Sequence, residues 1–437
     1  MKTRALFTLN ALVLALLVFN QVASAQEQDV PKVEIGVQYS SLSINLPGFG
    51  GTENAPGVGA RVTYNLTDYF AVEAEGNIYP SETQRDYTTG GDSQQMQFGV
   101  KAGKRWQRFG LFAKARPGFV SFGDTLTPVQ VQGGSLPVFN FERERKTHFS
   151  MALGGVLEFY PSRRMLVRFD AGDTIIRYGE HPELQTSFTG TTSSSFIGPA
   201  PSQTMHNFQF AAGVGFRLGR GAGDDAGASQ SPSTGERVRR FEVGIQFSSL
   251  ILNAPSRGPS PFLTPPDEGA DAEAGGGARF GFNATNDLAF EVEGNFYPRR
   301  RFDSSTAIGG YPGQVQAGVK YGRRFDRFGV FAKARPGIVT FSSVNEVSGY
   351  DSFTFEGQTF FFPNLRNTSK TYFSMDLGGV LEFYPSKRIL TRFDVGDTMI
   401  RYPDRDNPNI FTNTPPARLP AELRHNLQVT AGIGFRF

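Results

Sequence analysis

One thirteen-letter phrase closes each half of this chain, with few changes: HNFQFAAGVGFRL (His206 to Leu218) and HNLQVTAGIGFRF (His425 to Phe437). In the second, Phe437, Phe435, Ile433, Ala431, Val429 and Leu427 fall on one side of a strand. Arg436, Gly434, Gly432, Thr430, Gln428 and Asn426 fall on the other. One face is apolar and the other small or polar, as a strand needs between hydrocarbon and a polar interior.

The phrase belongs to a longer duplication. Copy one runs from about Val33 to Leu218 and copy two from about Phe241 to Phe437. RFGLFAKARPGFVSF matches RFGVFAKARPGIVTF, and FSMALGGVLEFYPSRR matches FSMDLGGVLEFYPSKR. Repeats this long are duplicated domains. Within copy one, tight polar reversals at Asn65–Asp68, Lys104–Gln107 and Pro161–Arg164 alternate with long stretches. The long stretches are Leu46–Pro56, Ser81–Ser93, Gly123–Lys146 and Gly179–Thr204. This rhythm predicts eight strands per copy, short turns at one end and long loops at the other.

Residues 1–25 read as a signal peptide: Lys2 and Arg4, an apolar Ala5–Val18, and a small-residue site at Ala23-Ser24-Ala25. Beyond it no apolar run is long enough for a membrane helix. The mean hydropathy of -0.30 does not argue against a membrane barrel, because only alternate residues face lipid. With no cysteine, disulfides and thiolate metal sites are excluded. The net charge of +3 is interleaved without a basic stripe, so no nucleic-acid partner is expected.

Charges that alternate with apolar residues must point inward, since a charge in mid-bilayer costs roughly 2–4 kcal/mol. This predicts a lumen ion-pair network of Glu73, Glu75, Lys101, Lys114, Arg116, Glu158, Arg168 and Asp170 in copy one. Its counterpart is Glu291, Glu293, Lys320, Lys333, Arg335, Glu382, Arg392 and Asp394 in copy two. Eight strands leave room only for side chains, so a packed plug is expected over a conducting path. In strand seven, Asp173 and Arg177 would face lipid in an unbroken alternation. A β-bulge at Gly172-Asp173, and again at Gly396-Asp397, is therefore expected. It would turn Asp173, Arg177, Asp397 and Arg401 inward, and Ile176, Tyr178 and Tyr402 outward. Trp106, Tyr69, Phe109, Phe159-Tyr160 and Phe383-Tyr384 near the short turns read as one aromatic girdle. Tyr79, Phe122 and Tyr178 near the long loops read as the other. Thr191–Ser195 is expected to be flexible, and Thr359–Pro363 to expose aromatic surface or to extend a hairpin. Of four histidines, only His206 and His425 recur in both copies, and no phosphate loop or metal-ligand spacing is present.

Each copy resembles the eight-stranded outer-membrane β-barrel family that includes the OmpA-like transmembrane domain and OmpX-like proteins. Such proteins typically end on an aromatic residue, as Phe437 does here. The expected fold class is all-β: two tandem eight-stranded antiparallel up-and-down transmembrane barrels, with one sixteen-stranded barrel as the alternative. The expected layout is a first barrel over 26–218, a flexible linker over 219–240 and a second barrel over 241–437. The Gly/Ser-rich linker of about 20 residues spans roughly 25 Å, far more than the ~4.8 Å between neighbouring strands. The resemblance implies a bacterial outer-membrane location with both mature termini periplasmic. It also implies Phe437, Phe435 and Ile433 as the strand signal read by the assembly machinery. Implied partners are outer-membrane lipid and lipopolysaccharide, with an unknown extracellular ligand and no cofactor. The leading functional expectation is a non-enzymatic structural or surface-binding barrel. The alternatives are a sixteen-stranded porin-like channel and a lipid-modifying enzyme using His206 and His425.

Overall fold

The computed structural model describes residues 31–47, 51–131, 138–189, 192–218, 239–256, 270–299, 307–406 and 418–437. The expected signal peptide and all but the last two residues of the expected linker lie outside the described residues. The first copy forms β1 (Val33–Asn45), β2 (Thr52–Asn65), β3 (Phe70–Thr83), β4 (Gly91–Arg105) and β5 (Phe109–Val131). It continues with β6 (Val138–Phe159), β7 (Met165–Tyr178), β8 (His181–Thr189), β9 (Thr192–Ala200) and β10 (Gln203–Leu218). The second forms β11 (Phe241–Asn253), β12 (Ala270–Asn283), β13 (Leu288–Phe296), β14 (Pro312–Arg324) and β15 (Phe328–Phe355). It ends with β16 (Gln358–Phe383), β17 (Ile389–Tyr402), β18 (Glu422–Arg424) and β19 (Leu427–Arg436).

Each copy closes on itself. β1 pairs with β2 on one side and, from Val33↔Leu218 to Leu42↔Gln209, with β10 on the other. β11 pairs likewise with β12 and β19. The remaining neighbours are sequential antiparallel hairpins, β7 meets β10, and β17 meets β18 and β19 along one line. Two eight-stranded rings result, and the sixteen-stranded alternative, which would pair β1 with β19, is not adopted. Closure leaves no sheet edge, the condition for strands to sit in hydrocarbon. Their polarity is inverted relative to a soluble fold. Val37 and Val58 are 62% and 64% exposed on the outside, whereas Arg168 and Arg335 are 0% exposed inside.

The rings touch through equivalent faces. Phe169 stacks on Phe393, its counterpart in the repeat, with centroids 5.9 Å apart and planes 4° from parallel. Phe210 stacks on Phe247 at 4.1 Å. Asn54 and Ala272, also equivalent, form a lone antiparallel bridge between β2 and β12. Phe159 and Phe383, assigned from sequence to a lipid-facing girdle, are instead buried in this seam with Ala212 and Ala431. Equivalent residues meeting across a contact is the mark of an approximate two-fold relation.

Two hairpins outrun the bilayer. Much of Gly123–Lys146, expected as loop, continues the β5–β6 ladder. β15 has 28 residues and β16 has 26. A spanning strand needs about 9–11 residues, so some 17 remain, a reach of roughly 55 Å along the strand at ~3.3 Å each. The tip turns at Glu356 and Gly357 with φ of 49° and 77°, the two-residue reversal that fits strand twist. Thr359–Pro363 therefore extends this hairpin, and Phe353 stacks on Phe360 and Phe362 at 5.2 and 5.1 Å. Below it, the Lys370 ammonium and then Arg366 (2.8 Å) hold the Glu346 carboxyl below its ordinary range. Thr192–Ser195, in the stretch expected to be flexible, belongs to β9, which forms a hairpin with β8.

The expected bulges are absent. β7 runs in unbroken register against β6 and β10 through Asp173, and β17 against β16 and β19 through Asp397. Asp173, Arg177, Asp397 and Arg401 stay on the outer face, while Ile176, Tyr178, Ile400 and Tyr402 turn inward and are buried. The error lay in taking the lumen to be polar along its whole height. Its long-loop end is apolar, and the outward charges sit high on the strand, toward the long-loop rim.

Candidate functional site: stratified lumens and the outer rim

The inward side chains form three layers. Nearest the short turns is a charged layer. In the first barrel Lys101 Nζ contacts Glu158, lies 3.4 Å from Glu34 and 3.6 Å from Glu73. Arg168 spans Glu73 (2.5 and 3.0 Å) and Asp170 (2.8 and 3.0 Å) in two bidentate pairs. Arg116 contacts Glu75, and Lys114 lies 3.3 Å from Asp170. The second barrel repeats the set: Lys320 with Glu242, Glu291 and Glu382, Arg392 with Glu291 and Asp394, and Arg335 with Glu293. Asp376, standing where copy one has Ala152, adds a carboxylate 2.6 Å from Arg335 and 2.9 Å from Lys333. All sixteen lumen residues named from sequence are buried here, and each has an opposite charge within 4 Å.

The middle layer is neutral. Gln95 Oε1 accepts from Tyr79 Oη at 3.0 Å and from Gln209 Nε2 at 2.9 Å, and Gln209 also donates to Ser40 at 3.1 Å. Gln314, Gln428 and Ser248 repeat this in the second barrel. Above it lies an apolar cap: Leu42, Ile44, Val120, Phe122, Ile176 and Tyr178 in one barrel, and Leu250, Leu252, Val339, Phe341, Ile400 and Tyr402 in the other. Tyr79, Phe122 and Tyr178, assigned from sequence to the upper girdle, thus point into the lumen. Tyr160 and Tyr384 also turn inward, donating to Glu158 and Glu382 at 2.8 Å. Trp106 and Phe109 remain outside, 38% and 40% exposed and stacked at 4.5 Å.

The loop between β3 and β4 folds into the mouth, as does 307–310, the described stretch that precedes β14. His148 Nε2 meets the Thr88 carbonyl at 3.0 Å, and Tyr372, its replacement in copy two, donates to the Ala307 carbonyl at 2.8 Å. Different residues thus tie down the same loop. Gly91 and Gly310, at φ of 67° and 70°, make the reversal that brings it back to the strand.

Sequence reasoning missed Arg105, which lies 3.4 Å from Glu34 and 3.7 Å from Glu158. It shares the inward parity of Lys101, so the alternation carried the signal. The outward carboxylates of Asp173 and Asp397 were missed as partners of the two repeated histidines. Asp173 Oδ2 lies 2.5 Å from His206 Nδ1, and Asp397 Oδ2 lies 2.6 Å from His425 Nδ1. Among the described residues, no hydroxyl hydrogen-bonds either ring. Of the strand-signal residues, Phe437 and Phe435 lie exposed on the outer face. Phe437 exchanges two backbone hydrogen bonds with Phe241, at 2.9 and 3.1 Å, and Ile433 packs in the seam.

Residues 11–217 match the family model of the outer membrane protein beta-barrel domain. The first copy belongs to this outer-membrane β-barrel family. The match covers the first barrel, and the second repeats its strand order and lumen. No curated protein matches the sequence. Among solved structures, the N-terminal β-barrel domain of Pseudomonas aeruginosa OprF aligns at 11% identity over 42% of this chain and 96% of its own, with a TM-score of 0.23. Yersinia pestis Ail aligns at 14% over 43% and 96%, with a TM-score of 0.25. A Pseudomonas aeruginosa FadL homologue aligns at 11% over 94% and 91%, with a TM-score of 0.29. At such scores the architecture of this outer-membrane protein rests on its own strand pairing.

Proposed function

We propose that this protein is a non-enzymatic pair of sealed outer-membrane barrels that meets the exterior through its long hairpins, with both mature termini in the periplasm. The observation that carries the reading is the three-layered lumen. A charged layer, an amide layer and an apolar cap fill the bore in turn, and both copies keep all three. A packed, mutually hydrogen-bonded set of charges can be held in a narrow lumen, whereas a conduit for solutes would need a continuous polar path through the cap. The short turns lie at the end where each copy begins and finishes, which supports periplasmic termini. The β15–β16 hairpin, with its stacked phenylalanines, is the part best placed to meet a partner. The enzymatic alternative has a repeated His–Asp pair in its favour, but among the described residues no hydroxyl is bonded to it.

Reconstitution of the full chain in planar bilayers tests this reading. Silence, apart from rare flickers, is the expected record. A steady conductance of porin size would favour an open lumen and overturn it.

A further inference from the structure

The outward charges that defeated the bulge expectation recur in both copies at one height. Asp397 on β17 lies eight residues above Ile389 at the short-turn end. At ~3.3 Å per residue and a tilt near 40°, that is roughly 20 Å up a hydrophobic band about 25 Å tall. Met399 and Arg401 follow on the same face. Arg401 pairs with Leu423 across the ladder, which sets His425 on the neighbouring diagonal. Such diagonal neighbours lie about 7–8 Å apart, a gap that one phosphate group can bridge. Asp397 Oδ2 occupies His425 Nδ1 and Oδ1 accepts the Asn426 amide at 3.2 Å, so the ring is held with Nε2 as its remaining polar atom. Nε2 can accept from a phosphate hydroxyl or, once protonated, donate to a phosphate oxygen. The imidazole is 65% exposed.

Directly below, the two barrels diverge around an apolar crevice of about 890 Å³. Phe393, Val395 and Val429 form its wall on the second barrel, and Val37, Val58 and Met96 face them from the first. Val395 and Val429 lie two and four residues along their strands from Asp397 and His425, which places the crevice just below the charged rim. A void of this size beside hydrocarbon has dimensions that suit acyl chains.

We propose that this crevice and its rim form a binding site for an outer-leaflet lipid bearing a phosphate headgroup. Its acyl chains lie against Phe393, Val395 and Val429, and its phosphate meets Arg401 and His425. The site is independent of the lumen and the hairpins, so it stands whether or not the barrels conduct.

The test uses the full chain, purified in mild detergent and stripped of lipid. Diphosphorylated lipid A, dephosphorylated lipid A, phosphatidylglycerol and inorganic phosphate are offered separately, and bound mass is read by native mass spectrometry. Diphosphorylated lipid A retained at one molecule per chain, with at least tenfold less in the Arg401→Ser, His425→Asn double variant, is the expected result. Phosphatidylglycerol retained in preference to lipid A would overturn the outer-leaflet assignment. Val395→Trp, which fills the crevice and leaves the rim intact, should reduce retention as well. Heat-modifiable mobility checks that each variant is folded. Equal retention by wild type and double variant, or of lipid A with and without phosphate, would overturn the site. Binding of inorganic phosphate but neither lipid would overturn it too.

Discussion

Replacing Arg168 with methionine should expose how strongly the charged layer depends on complete pairing. The guanidinium is fully buried and holds Glu73 and Asp170 bidentately, with Glu158 at 3.5 Å. Removing it leaves the buried carboxylates without their main partner, and breaking such a buried pair costs about 3–5 kcal/mol. The structure favours the lower end. Glu73 keeps Lys101 at 3.6 Å and the Thr63 hydroxyl at 3.0 Å, and Asp170 keeps Lys114 at 3.3 Å. About 3 kcal/mol corresponds to roughly a hundredfold shift in the unfolding equilibrium. Urea titration in lipid vesicles, read by heat-modifiable mobility, should show the midpoint fall accordingly. Adding Glu73→Gln to the same variant should recover part of the loss, because Asp170 still has Lys114 at 3.3 Å while Lys101 and Arg116 keep Glu158 and Glu75. Arg392→Met should behave alike in the second barrel and add independently, since distant sites rarely couple. A loss below about 1 kcal/mol in the single variant, or a double variant weaker than the single, would refute the argument that these pairs are buried and mutually required.

Deleting Phe437 removes an exposed ring and its two backbone bonds to Phe241. The inserted yield should fall severalfold while secretion is unchanged, measured by membrane fractionation and heat-modifiability. Residues 241–437, given a signal peptide of their own, should form a heat-modifiable barrel, because β11 closes on β19 without help from the first copy. Excising Val347–Leu365 should shorten the β15–β16 hairpin without lowering the urea midpoint by more than about 0.5 kcal/mol, since the strand ladder pairs those residues with one another.

Much of this fold was legible because hydrocarbon is a severe judge of alternation. Lys101, Glu158 and Arg168 had to point inward, and once they did the neighbouring parities followed. What stayed hidden involved residues for which two apolar environments look alike. Phe122, Ile176 and Tyr178 read equally well as lipid-facing or as a cap, and only closure of the ring shows which side they took. Phe169 and Phe393 carry the outward parity of any lipid-facing ring, yet they stack on each other. No pattern within one copy encodes the neighbour across the seam. Asp173 was misjudged for a related reason. Its cost in lipid depends on height, and the sequence supplies parity more readily than depth.

The central claim is that each copy closes on itself, and the lack of native cysteine makes disulfide trapping a direct measure of it. Val37 faces Val214 across the β1–β10 ladder, and Ile245 faces Ile433 across β11–β19. Cβ atoms on directly opposed residues lie about 4.5–5.5 Å apart, close enough for a bond after slight adjustment. Oxidation in intact outer membranes should cross-link the Val37→Cys, Val214→Cys chain and the Ile245→Cys, Ile433→Cys chain efficiently. It should leave the Val37→Cys, Ile433→Cys chain reduced. The reverse pattern, with Val37 trapped against Ile433 and Val214 against Ile245, would mean a single sixteen-stranded barrel and contradict the account.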